Sequence, residues 1–121
     1  MGSTQQHARS SVAMWGGVIP DYLPLHEWLD ETRFAFPDVR HHALRHHVEG
    51  IDLCERVFGY YITRMDGKTI PTRWIAERHI REDFGRIPIA ADYLRHLIVQ
   101  SWMFGYATPE EEPDDGGETA E

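Results

Sequence analysis

VRHHALRHHVEGIDLCERVFG, residues 39–59, carries four histidines and an apolar face on one segment, and its reading decides the fold. At the helical turn of about 100° per residue, Ala43, Leu44, Ile51, Cys54 and Phe58 share one side, which predicts an amphipathic helix. Pro37-Asp38 supplies its start, and Gly59 suits the left-handed position past its end. His47 falls inside the apolar stripe and is expected to be buried. His46 and Gly50 border the stripe on one side and His41 on the other, while His42 points outward. A glycine in mid-helix costs about 1 kcal/mol relative to alanine, so Gly50 signals that another backbone or a ligand comes close.

Outward from this stretch, Leu25, Trp28, Leu29, Thr32 and Phe36 recur at helical spacing after Asp21, predicting a helix over 22–36 with His26 at the edge of its apolar stripe and Asp30 one turn on. Tyr60 to Thr63 and Thr69-Ile70 flank the turn signal Asp66-Gly67, which predicts a short β-hairpin. A third helix is expected over 73–84, closed by Gly85, and a fourth over 89–101 with Ile89, Tyr93, Leu97 and Trp102 facing inward. The fold class is therefore mainly α, a compact helical domain of about four helices with one hairpin. Residues 1–20 read as an N-terminal arm, 21–108 as the single His-rich domain, and 109–121 as a disordered acidic tail.

The formal charge of −8 misleads, because the tail PEEEPDDGGETAE holds seven of the twenty acids and no base. The rest is near neutral, which disfavours nucleic acid as a partner. The one cysteine, Cys54, cannot form an internal disulfide, no stretch has the ~20 apolar residues that span a bilayer, and the first residues lack a leader pattern. A cytoplasmic protein with no membrane association is expected. Eleven of the twelve bases are arginine, but most have a carboxylate on the same helix, so salt-bridged surface accounts for them better than phosphate binding. The 73–101 region is only loosely like a helix-turn-helix, and no serine or thiol makes a convincing nucleophile.

Histidine is the unusual component, with eight in 121 residues. Each imidazole brings two polar nitrogens that need partners when buried, so a concentration of them points to metal binding or proton transfer. Three predicted helices each offer a histidine near an apolar edge, and the ligand set they suggest is His26, His46 or His47, and His79. Glu82, Asp83 or a water would complete it. Zinc suits these donors best, with nickel, iron and manganese open. If the centre is catalytic, metal-assisted hydrolysis is the natural class, with Glu82 or Glu77 as general base.

Four stretches, HARSS to Gly16-Gly17, DYLPLHEWLDET (21–32), VRHHALRHHVEGI (39–51) and IPTRWIAERHIREDFGRIP (70–88), give a pattern that resembles a family of small uncharacterised bacterial and phage proteins, a domain of unknown function. The resemblance implies one compact domain and carries no activity. His26, Asp30, His41, His46, His47, Glu77, His79, Glu82 and Asp83 match its residue types, whereas an arginine is usual at the place of His42, which favours His46 and His47 as ligands. The alternative to a metal protein is a non-enzymatic binding or accessory protein of a phage or anti-phage system, with structural histidines and an unknown small-molecule or protein partner.

Overall fold

The computed structural model describes residues 2–105, which form six α-helices and one two-stranded hairpin. The first helix, α1 (Thr4–Trp15), occupies the segment expected to be an arm. Its start is locked by a reciprocal cap: Ser3 Oγ accepts from the Gln6 amide at 3.2 Å, and Gln6 Oε1 accepts from the Ser3 amide at 2.7 Å. Gly16 and Gly17, at φ +79° and +83°, turn the chain so that α2 (Ile19–Asp30) packs back along α1. Helix α2 begins earlier than expected and ends at Asp30, followed by a 3-10 turn over Glu31–Phe34. Near its end Arg45 Nη1 donates to the Trp28 carbonyl at 2.5 Å, meeting from outside a group that the helix terminus would leave open.

The helix expected across 38–58 is broken in its middle. A 3-10 turn (Val39–His41) runs into a single turn, α3 (His42–Arg45), and α4 (Val48–Phe58) starts afresh. His47 is extended, at φ −163°, and caps α4 by accepting the Gly50 amide on Nδ1 at 2.9 Å. The Val48 amide is satisfied by the Pro88 carbonyl at 2.9 Å. The break rotates α3 against α4, which leaves Leu44 51% exposed and turns His42 inward to 1%, the reverse of the straight-helix reading. His47 is buried, as expected, but through its capping role rather than on an apolar stripe.

The hairpin is β1 (Tyr61–Thr63) against β2 (Thr69–Pro71), antiparallel, with Ile62 opposite Ile70. It feeds α5 (Thr72–Phe84), whose inner face reads Thr72, Ile75, Ala76, His79 and Ile80 and which stops at Gly85 with φ +75°. The expected fourth helix shrinks to α6 (Ala90–Leu94), with Ile89, Leu97 and Trp102 exposed. Without a packed face a short helix does not persist, and five residues are too few for a base-reading element. The acidic tail lies outside the described residues. No helix among them is long and apolar enough to cross a membrane.

Helix α1 packs on α2 and α4 on α5, with α2 and α5 in contact between the pairs. One part of the interior is ordinary core, with Tyr22, Leu25, Leu29, Ile51, Cys54, Ile75 and Ile80 among its members. Burial pushes the Cys54 thiol up to about 12, as suits a structural thiol. The other part is polar and holds His7, His26, His41, His42, His46 and His79, each at most 2% exposed.

Gly50 shows why the break matters. A Cβ there would lie 1.8 Å from the Arg45 carbonyl oxygen, so the two short helices meet only because this residue has no side chain. On helix propensity alone Gly50→Ala would stabilise by about 1 kcal/mol. Steric overlap of this size reverses the sign, and the expected result is a loss of about 2–4 kcal/mol in denaturant unfolding, beyond the usual cost of one extra methyl in a packed core. A variant as stable as the parent would show that the α3–α4 junction is not built this way.

Candidate metal centre

Four side chains from three places in the chain converge at the polar interior. Asp30 comes from the last residue of α2, His46 from the α3–α4 break, and His79 and Asp83 from one face of α5, a turn apart. His46 Nε2 lies 3.1 Å from Asp83 Oδ2 and 3.4 Å from Asp30 Oδ1. His79 Nε2 lies 3.3 Å from Asp30 Oδ1 and 3.4 Å from Asp83 Oδ2. One ligand atom from each of the four stands within 4.8 Å of the other three. Around a tetrahedral ion with bonds of about 2.0–2.1 Å, neighbouring ligand atoms are about 3.3 Å apart, so these four edges have the length that one ion would impose.

A chain of hydrogen bonds fixes which nitrogen of His79 is free. Ser11 Oγ donates to the His7 carbonyl at 3.2 Å and therefore accepts from His26 Nε2–H at 2.8 Å. His26 Nδ1 is then an acceptor, and it takes the Nδ1–H of His79 at 2.8 Å. That leaves the Nε2 of a neutral His79 as a lone pair aimed between two carboxylates. Lone pair and carboxylates repel unless a cation lies among them, either a proton on the ring or a metal ion.

Unpartnered buried atoms gather here as well. Asp30 Oδ2, both Asp83 oxygens, both His46 nitrogens, and the Nε2 atoms of His7, His41 and His42 have no hydrogen-bond partner, against two such atoms elsewhere in the described residues, Arg64 Nε and Thr72 Oγ1. Buried polar atoms are normally satisfied, so this concentration asks for a ligand.

The charges agree. Burial opposes ionisation of Asp83, yet the rings of His46, His7 and His79 around it prevail and hold its carboxyl far below the usual carboxylate range. Burial likewise opposes ionisation of Asp30, and His46 and His79 outweigh it. At His46 burial works against a proton, but Asp30 and Asp83 raise its pKa; His7 is raised against burial by Asp83 and Glu82. His26 is pushed down to about 2, by burial first and then by His79 and His7. His42 is pushed down to about 4 by burial and by His46 and His41.

Of the residues singled out in the sequence, His46 and His79 face the carboxylates, and His26 stands one layer out as the partner of His79. His47 is not brought into the cluster. Its Nδ1 takes the Gly50 amide, and its Nε2 donates to the Ala43 carbonyl at 2.9 Å. Glu82 lies at the rim, accepting from His7 Nδ1 at 2.7 Å and from the Ser10 hydroxyl. Glu77 is further out and faces Arg73 across 3.9 Å. Both glutamates line an open cleft of about 410 Å³ with Trp15, Trp74 and Arg78. His7 joins this cleft to the centre, because its Nε2 lies 3.2 Å from Asp83 Oδ1.

Sequence reasoning passed over His7, His41 and the inward turn of His42, and it ranked Asp30 only as a neighbour of His26. The Ser3-x-x-Gln6 cap signal, with His7 and Ser11 one turn apart behind it, would have placed His7 on a helix.

No curated protein and no solved structure matches the chain. A family model does match residues 2–103, and the chain belongs to that family, described as a Domain of unknown function (DUF6915).

Proposed function

We propose that the protein binds a divalent transition metal on Asp30, His46, His79 and Asp83, and that this ion ties α2, the α3–α4 junction and α5 together. The observation that carries the reading is the lone pair of His79 Nε2, fixed through His26 and Ser11 and facing two anionic carboxylates. Zinc fits two imidazoles and two carboxylates at tetrahedral spacing. The two oxygen donors keep manganese and iron open as well.

Hydrolysis assisted by that metal, through a water taken as a fifth ligand beyond the four side chains, is the second reading, favoured by the cleft beside the centre. A metal acidifies its bound water toward neutral pH. Glu82, with Glu77 beside it, would serve as general base at the cleft, and His7 would connect Glu82 to the ligand Asp83. A Glu82→Gln protein is then expected to keep its metal content while metal-dependent hydrolysis of aryl phosphate or acyl ester probes falls at least about tenfold. Equal turnover in parent and variant would remove Glu82 from the reaction.

The metal itself is tested on protein purified without a histidine tag. Elemental analysis should find a divalent transition metal bound, and a strong chelator should lower the melting temperature. Readdition of zinc at about 100 times its Kd should restore roughly 2.7 kcal/mol. Asp83→Asn, which keeps the side-chain shape, should weaken zinc binding at least about tenfold. Metal-free protein whose melting curve ignores chelator, zinc and manganese would leave structural histidines as the account.

The pH dependence of the metal-free protein carries its own sign. His26 and His42 have folded pKa values below the unfolded 6.5, so the unfolded chain binds more protons, and stability falls as pH drops from about 6.5. The loss is up to about 1.4 kcal/mol per pH unit for each ring held neutral. His7 and His46 are raised, so their contribution is complete below 6.5 and fades as pH rises through their folded values. Metal-free protein should therefore be most stable near pH 6.5, whereas bound metal, which needs unprotonated ligands, should move the optimum upward. Identical pH profiles with and without zinc would contradict this.

A further inference from the structure

Two buried histidines next to the four-ligand site have no role in it. His41 and His42 end the 3-10 turn and begin α3, their rings 4.2 Å apart. His42 Nδ1 lies 2.7 Å from the Val39 carbonyl, which can only accept, so Nδ1 carries the proton. Thr32 Oγ1 donates to the His41 carbonyl at 3.3 Å and so accepts from His41 Nδ1–H at 2.8 Å. Both neutral rings are thus locked with Nδ1 protonated and Nε2 bare. Both Nε2 atoms are buried and unpartnered. One backbone carbonyl and one threonine orient two lone pairs in the way that outer contacts orient metal-ligating histidines.

We propose that His41 Nε2, His42 Nε2 and Asp30 hold a second divalent transition ion, with the Asp30 carboxylate bridging it to the first. One ligand atom from each of these three residues lies within 4.8 Å of the others. Asp30 belongs to both groups: its Oδ1 faces His46 and His79, and its Oδ2 is buried with no partner. His42 Nε2 is also 3.9 Å from Asp83 Oδ2, so the second group opens toward the first. Paired ions in such centres stand about 3.5–4 Å apart, a span that one carboxylate bridges. The first ion has four protein ligands and the second three, so the second has more open coordination positions. A water held there, between two ions, is the group a hydrolytic reaction would use.

This inference rests on the four-ligand site for the shared Asp30, and the experiment separates the two. Metal-free full-length protein is titrated with Co(II), following the absorbance of bound cobalt and the paramagnetic resonance signal per cobalt. Two equivalents are expected, with the signal per cobalt falling as the second enters, because a bridged pair couples. His42→Gln, and independently His41→Gln, should bind one equivalent with an uncoupled signal and unchanged far-ultraviolet dichroism. One equivalent in the parent, unaltered in either variant, overturns the second site and leaves the first standing. Two equivalents with additive signals overturn the bridge. No bound cobalt overturns both sites. If a variant fails to fold, the stoichiometry and coupling of the parent still decide.

Discussion

Two buried carboxylates facing two imidazole nitrogens are the constraint around which this fold is arranged. Removing an ion from water costs several kcal/mol even after relaxation, and Asp30 and Asp83 are both nearly enclosed, at 5% and 1% side-chain exposure. Some positive charge must stay beside them. In the metal-free protein protons on the rings answer that need: burial works against them, but Asp30 and Asp83 raise the pKa of His46, and Asp83 and Glu82 that of His7. A divalent metal would supply two positive charges at the place where four donor atoms already meet. The outer contacts follow from the same need. Ser11 and His26 fix His79, Thr32 and Val39 fix His41 and His42, and Glu82 holds His7.

Such an interior leaves less room for apolar packing. Among the described residues, ten buried hydrophobic ones against eleven buried polar ones make a thin core. The fold of the metal-free protein therefore depends on hydrogen bonds and ion pairs whose net contribution is about 1 kcal/mol each, and less where geometry is imperfect. Stability and occupancy of the proposed centre would be coupled for that reason. The apolar part, Tyr22, Leu25, Leu29, Ile51 and Ile75, lies apart from the His/Asp cluster, yet it packs α2 against α5 and so sets the spacing of Asp30, His79 and Asp83.

Sequence made α5 and the hairpin legible, because Ile75, His79 and Ile80 keep helical period up to Gly85, and Asp66-Gly67 marks a turn. It also made Gly50 legible as a point of close approach. The break at His46-His47 was not. A helical wheel assumes a straight axis, and it exchanged the places of Leu44 and His42 once the axis bent. Nothing local announces the bend, since it is held by the Pro88 carbonyl, forty residues away. Helix α1 was hidden for another reason. Its composition is polar, and its inner face of His7, Ala8 and Ser11 serves the polar interior rather than an apolar one. His46 and His79 stand out as rare residues, whereas among twenty acids Asp83 is only one of several ways to complete the site and Asp30 only a neighbour of His26.

The order of the ligands along the chain has a consequence for how the protein is made. Asp30 and His46 leave the ribosome well before His79 and Asp83, and both later ligands sit on α5, the last full-length helix among the described residues. A nascent chain ending before α5 holds only Asp30 and His46 of the four-residue group. A metal on the proposed four-residue site would therefore secure α2 and the α3–α4 junction only once α5 has docked, so loading of that site would be a late step that separates chains with α5 in place from those without it.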